Sequence, residues 1–397
     1  MCILITAITS AVVGAVAWCA RGAYDMYSNR DLISKIVSVQ SVLDEAFLYD
    51  YDKDKVADYA ALGMTMALDD PYTVYYDKQQ FQSYMDSGEG DFVGVGVTVI
   101  WNKDNDSIEV ISVLEDSPGM EAGILPGDII TAVEGTPYSG SQMNEAVAKI
   151  RGLDLDGDVE NTSVAITIKR GDKEMDVTLV RKRIHQDTVS YNMVDDNIGY
   201  IKITSFNTAS ETGAKSTDEE FMAAFEDLKN QGMEKLIIDL RDNGGGMLEV
   251  VSEIIDFIVP EGLIMYAQDR NGHKEELLSD ANELNMPIAV LVNGNSASAS
   301  ELLTGALKDY GKAKIIGTKT FGKGVMQVVY PFSDGSGMTV TIAKYYTPLG
   351  TCVQDEGITP DIIVELPEEL NSTYASSIKP EDDTQRKAAI DYLKNQK

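Results

Sequence analysis

The stretch Asn295-Ser-Ala-Ser-Ala-Ser-Glu301 stands directly behind an apolar run, 287–293, and directly before a helical pattern. A serine at such a strand-to-helix junction can aim its hydroxyl into a cleft, while the helix N-terminus offers partial positive charge to a developing oxyanion. The same residues also suit a plain Ser-rich helix cap, because serine oxygens satisfy free N–H groups there. A serine nucleophile needs a base. The chain holds two histidines, His185 in the basic turn Arg181-Lys-Arg-Ile-His185 and His273 in a hydrophilic loop. Both read as exposed and neither sits at a strand end, so a Ser-His-Asp triad is poorly supported. Lysine offers the alternative. Lys323, in Gly322-Lys-Gly-Val-Met-Gln327, opens an apolar strand, where burial would disfavour its charged form and make it a base.

Two other turns could carry chemistry. Asp239-Leu-Arg-Asp-Asn-Gly-Gly-Gly246 is a second strand-to-helix turn, and its glycines allow close backbone approach with N–H donors aimed at a ligand. It reads equally as an ordinary glycine-rich turn. Gly317 to Gly324 comes close to a phosphate-cradling loop. It lacks the Ser or Thr that would hold magnesium, and strand rather than helix follows it.

Composition narrows the field further. The 397 residues carry 33 Lys plus Arg against 64 Asp plus Glu, a formal net charge of −31, which repels nucleic acid and nucleotides alike. Cys352 is alone outside the N-terminal pair Cys2 and Cys19, so no disulfide staples the rest of the chain. With two histidines in all, a Cys/His zinc site is equally poorly supplied. Neither metal nor cofactor is expected. Residues 1–20 contain no charged side chain and are long enough, at roughly 30 Å of helix, to cross a bilayer core. They are expected to be a single-pass signal anchor in the cell membrane with the remainder outside the cytoplasm. Arg21, Arg30 and Lys35 follow the run, however, opposite to the positive-inside pattern.

The elements that must position the site follow from periodicity. Residues 25–90 read as helical, with apolar positions from Ile33 to Phe47 and again from Ala57 to Leu68. From Asp91 the texture is strand and turn: 92–100 as one strand, a short helix at 141–150, then strands at 164–169 and 175–180. Beyond 184, strands at 198–206, 235–240, 287–293 and 313–317 alternate with helices. One of these opens on a Thr217–Glu220 capping box, and the order implies a parallel α/β core. Residues 366–397 read as a polar, acidic segment with a terminal helix.

With these residues assembled, the chain resembles the carboxyl-terminal processing peptidases, or tail-specific proteases, from about residue 30 to 365. Ser298, Lys323, Gln327 and the 239–246 turn carry the resemblance. So do Leu68-Asp-Asp-Pro-Tyr-Thr-Val-Tyr-Tyr76, Phe92-Val-Gly-Val-Gly-Val97, Ser117-Pro-Gly-Met-Glu-Ala-Gly123, Pro126-Gly-Asp128, Ala343-Lys-Tyr-Tyr-Thr-Pro348 and Gly357-Ile-Thr-Pro-Asp361. The resemblance implies a multidomain α+β and α/β protein: a helical N-terminal region (25–90), an inserted PDZ domain (91–183) and a crotonase-like ββα peptidase core (184–365). It implies a serine endopeptidase in which Ser298 is nucleophile, Lys323 general base and Gln327 the residue orienting it. Backbone N–H groups of Ala299 and Gly245 would form the oxyanion hole. The family usually has proline where Gly244 stands, and that departure loosens the turn. Val95, Gly96 and Val97 would take a substrate's C-terminal carboxylate, with Met143 and Val147 lining the groove for its last side chain. The expected partners are protein or peptide substrates with free C-termini and the membrane, and the amphipathic helices permit a homodimer. A catalytically idle PDZ scaffold is the other reading, against which intact Ser298 and Lys323 count.

Overall fold

The computed structural model describes residues 28–396 apart from 89, 104, 115, 154, 156–158, 211–212 and 371–372. The expected membrane anchor at 1–20 lies outside the described residues. Among those described, no helix is long and apolar enough to cross a membrane.

The first unit of chain holds helix α1 (Arg30–Ala46), whose Leu32, Ile33, Ile36, Val37, Val39 and Val42 are all exposed. The hydroxyl of Tyr51 and the ammonium of Lys53 both reach Asp44, tying the loop back to this helix. Helix α2 (Lys53–Met66) follows. The expectation of helix throughout 25–90 needs one correction: strand β1 (Val74–Tyr76) precedes helix α3 (Lys78–Gly88). Pro71 ends the helical run, and the β-branched and aromatic residues behind it pair with a strand far along the chain.

The expected single strand 92–100 is two, β2 (Asp91–Gly94) and β3 (Val97–Asn102). Gly96 between them has φ +70°, and a Cβ there would come within 2.2 Å of Ser117 Cβ. Only glycine turns the chain in that space. Then come β4 (Ser107–Val113), α4 (Pro118–Glu121), β5 (Ile129–Val133), β6 (Thr136–Pro137), α5 (Met143–Arg151), β7 (Ser163–Arg170) and β8 (Lys173–Val180). The sheet order β3-β4-β5-β7-β8 leaves β3 at an edge. Ile108, Val110, Ile130, Val133, Ile166 and Ile168 alternate inward and bury Ala146 and Ile150 of α5. Buried Arg181 donates to the carbonyls of Ile150 and Lys149, capping that helix. Strand β9 (Lys182–His185) returns antiparallel to β2, so the chain enters and leaves this domain through one two-stranded ribbon.

The remainder builds two sheets. Strands β10 (Val189–Asp195) and β11 (Ile198–Ile203) lead to helix α6 (Thr217–Asn230), strand β12 (Lys235–Asp239) and helix α7 (Leu248–Ile258). The antiparallel pair β13 (Gly262–Asp269) and β14 (Lys274–Ser279) follows, then β15 (Ile288–Val292), α8 (Ala299–Asp309) and β16 (Ala313–Gly317). The chain closes with β17 (Val325–Pro331), β18 (Gly337–Tyr346), β19 (Ile362–Ile363) and α9 (Thr384–Lys394). The first sheet runs β10-β11-β12-β15-β16-β19, parallel except for β10. Its central runs Leu236–Ile238 and Ile288–Val292 are apolar throughout because both faces are covered, by α7 and α8 on one side and α9 on the other. The second sheet joins β1, β13, β14 and β17 around β18.

Two expectations change here. The capping box of α6 is Ser216 with Glu219, one residue earlier than expected, because Glu220 is drawn to the N–H groups of Thr188 and Val189. The acidic segment 366–397 is also no loose tail. Ala389 and Leu393 of α9 are fully buried against the sheet, and Asp383 pairs with buried Arg241 at 2.8 Å. Removing one partner of such a buried pair costs about 3–5 kcal/mol, because a charge is left uncompensated.

Candidate active site

Strand β15 ends at Val292, and the chain turns sharply into α8 with Ser298 as its N-cap at φ 56°, ψ −115°. Positive φ for a serine stores about 1–3 kcal/mol of strain, which persists only where neighbours impose it. They do so here. Ala297 N–H donates to the Asn243 carbonyl, Ser300 Oγ donates to the same oxygen, and Ser296 Oγ donates to the Leu240 carbonyl. The Ser298 turn is thereby laced to the 239–246 turn.

That second turn is fixed from below. Asp239 is fully buried and accepts from Arg241 and from the Tyr200 hydroxyl, at 2.6 Å in the latter case. Burial alone would push its carboxyl up, but the adjacent guanidinium outweighs this and holds it below the ordinary range. Gly245, at φ +111°, presses against Ser298: a Cβ there would lie 2.8 Å from Ser298 Cβ and 3.1 Å from Ala299 N. Ala299 N–H, in the first turn of α8 beside Ser298, is one of the helix's N-terminal donors with no intrahelical acceptor. Gly245 N–H donates to Asn243 Oδ1 at 2.8 Å and is thus committed within its own turn.

Lys323 lies on the loop before β17, half-buried. Its Nζ stands 4.6 Å from the centroid of the Tyr72 ring. Burial pushes its pKa down from 10.5, while the carboxylate of Asp70 opposes that shift. Lys323 Nζ and Ser298 Oγ make no direct hydrogen bond; such catalytic contacts are often long outside the Michaelis complex. Gln327, on β17, donates from Nε2 to Thr341 Oγ1 at 3.3 Å and makes no hydrogen bond to Lys323.

The two catalytic candidates are joined instead through two residues that sequence reasoning missed. Glu301, fully buried, accepts four donors: Ser298 N–H (3.0 Å), Lys323 N–H (2.8 Å), Gly322 N–H (2.7 Å) and Thr320 Oγ1 (2.6 Å). Tyr345 on β18 lies 2.9 Å from both the Ser298 and the Lys323 carbonyls and shares its hydroxyl proton between them. Burial, and then the nearby Glu301 carboxylate, push the Tyr345 pKa well up, so the proton stays. A signal for Glu301 existed: Ser-x-x-Glu before an apolar helix is the capping-box pattern. For Tyr345, 47 residues from Ser298, none did.

The histidines lie elsewhere. His273 is exposed and bonded to Asp269. His185, expected in an exposed turn, is instead on β9, largely shielded, with Nδ1 3.0 Å from Asp91. In the inserted domain, Leu114 N–H donates to the Gly96 carbonyl and Gly119 N–H to the Val95 carbonyl, fixing the loop before β3. Val97 and Met143 pack on the domain's core, and Val147 is half-buried on α5.

Comparison with known proteins adds the following. Residues 197–364 match Peptidase family S41, residues 109–170 a PDZ domain, and residues 17–80 the N-terminal domain of the activating protease CtpB. A probable CtpA-like serine protease of Staphylococcus saprophyticus is 34% identical over 371 residues, 92% of this chain and 72% of that relative. One from Staphylococcus aureus strain N315 is 37% identical over 339 residues and 84% of this chain, which spans only 65% of that relative's length. The solved structure of the photosystem II D1 C-terminal processing protease superposes with TM-score 0.50 at 27% identity, covering 83% of this chain and 88% of its own.

Proposed function

Given that the chain belongs to peptidase family S41, we propose that it is a serine endopeptidase working through Ser298 and Lys323. The observation that carries this is the pairing of a strained, helix-capping serine with a lysine whose charge is disfavoured by burial. Neutral Lys323 takes the Ser298 proton as Oγ attacks the peptide carbonyl. It then gives that proton to the departing amine, and water releases the acyl group by the same route. The Ala299 N–H, with Gly245 once freed from Asn243, stabilises the oxyanion. Gln327 is proposed to orient Lys323 when substrate is bound. The order β10-β11-α6 supports reading the core as crotonase-like.

We further propose that the PDZ domain selects substrates by their C-terminal tails. Strand β3 is an edge strand, so an extended peptide can add beside it, with its carboxylate at Val95, Gly96 and Val97 and its last side chain toward Met143 and Val147. A peptide ending in a free apolar residue should be cleaved at least tenfold faster than the same peptide amidated or ending in Asp. Equal rates for all three remove tail reading and leave the Ser/Lys chemistry untouched.

The uncharged run at 1–20 supports a membrane-anchored protein with its catalytic part outside the cytoplasm. A reporter fused behind α9 should be accessible from outside intact cells whose wall has been removed. Protection of that reporter reverses the assignment.

A further inference from the structure

Away from Ser298, at the joint between the ribbon and the peptidase core, two chain segments bring three potential ligands together. His185 ends β9. Its Nδ1 is held by buried Asp91 at 3.0 Å, and the other Asp91 oxygen accepts from Ser210 Oγ at 2.7 Å. Gly90 lies over the ring, since a Cβ there would sit 3.1 Å from His185 Cε1. The imidazole is thus locked in orientation, with Nε2 pointing the other way. That Nε2 is buried and has no hydrogen-bond partner. It faces Asp187 Oδ1 at 3.9 Å and Glu220 Oε1 at 3.8 Å. Glu220 commits its other oxygen to Thr188 N–H, Thr188 Oγ1 and Val189 N–H, which leaves Oε1 aimed at the histidine.

These spacings are too long for hydrogen bonds. They are close to what a shared metal ion sets: bonds of about 2.0–2.2 Å hold neighbouring ligands roughly 3.4 Å apart in a tetrahedron. The exposed Asp187 side chain can close the difference. A carboxylate behind the imidazole, fixing its tautomer, is the usual support of a metal-bound histidine. We propose that His185, Asp187 and Glu220 form a binding site for a divalent first-row cation, zinc(II) above all, that pins the PDZ ribbon to helix α6. One imidazole nitrogen disfavours calcium and magnesium, and two carboxylates balance the ion's charge. The site takes no part in the Ser298 chemistry and does not depend on that assignment.

The test is calorimetric titration of metal-stripped full chain with zinc chloride, in a Cys352→Ser background so that thiol binding is excluded there. One equivalent should bind with micromolar affinity, and Asp187→Asn, at an exposed side chain, should weaken it at least tenfold. His185→Gln should abolish binding, with circular dichroism reporting that the variant is folded. Cobalt(II) should give a visible band without the intense near-ultraviolet absorption of a thiolate complex. Hydrogen exchange of residues 182–189 should slow when zinc is added. Equal zinc affinity in the parent and in Asp187→Asn overturns the proposal, as does calcium binding as tightly as zinc.

Discussion

Ser298→Ala and Lys323→Ala should each lower peptide cleavage by about ten-thousandfold or more while the protein stays folded, leaving what binding and the oxyanion hole supply alone. Lys323→Arg should be as inactive as Lys323→Ala, because guanidinium keeps the charge but does not deprotonate at any usable pH. The pH profile gives the sign. Burial lowers the Lys323 pKa from 10.5, and in the proposed mechanism the neutral amine is the active form. The rate therefore rises as pH climbs through the lowered value and levels off before the ordinary lysine range. Asp70 favours the charged form, so Asp70→Asn should move that rise to lower pH. A flat profile, or activity surviving in Ser298→Ala, removes the assignment. A serine-directed probe that labels wild type but not Ser298→Ala also excludes the idle scaffold.

Glu301→Gln is the second large effect, expected from hydrogen-bond counting. The carboxylate accepts two donors on each oxygen. Whichever way the amide turns, its NH2 faces two donors that then have no acceptor. Leaving buried donors unsatisfied costs about 1–3 kcal/mol each, so the variant should lose several kcal/mol of stability. It should also lose at least about a hundredfold in kcat, because the backbones of both Ser298 and Lys323 are anchored on this carboxylate and small misplacements are costly. Urea unfolding measures the first and single-turnover cleavage below the unfolding range the second. If Glu301 only supports the fold, stability falls while the folded fraction keeps its kcat and its pH profile.

What was legible in the sequence was local. Ser298 and Lys323 stood out because each occupies a turn next to a strongly apolar strand, and runs such as 288–292 declare a buried strand by composition alone. The central helices and the parallel order followed from the same patterning. What escaped depends on partners far along the chain. Strand β14, Lys274–Ser279, is too polar to read as a strand and exists because β13 pairs with it. His185 looked like part of a basic turn, yet Asp91, 94 residues earlier, makes it a strand residue. Two overlapping capping boxes begin at Ser216 and Thr217, and a distant claim on Glu220 decides between them. Asp383 lies in an acidic segment that shows a terminal helix but no sign of a buried ion pair, while its partner Arg241 sits beneath the glycine turn.

The ribbon of β2 and β9 bears on how such a chain could have been assembled. Asp91 and His185 are directly paired, so everything between them begins and ends at one spot. Strands in register lie about 4.7–4.9 Å apart, so in chain connectivity the whole PDZ domain amounts to the tip of a hairpin, steadied from outside by Gln79 of α3, which donates to its Gly152 carbonyl. Loop-closure entropy changes by only about 0.6 kcal/mol for each doubling of loop length, and here the ends are already met. The domain is thus an exchangeable cartridge: lengthened, trimmed or replaced between 95 and 181, it leaves the register on either side of the ribbon unaltered. Selection can then change what this domain carries without disturbing the sheets that hold Ser298 and Lys323.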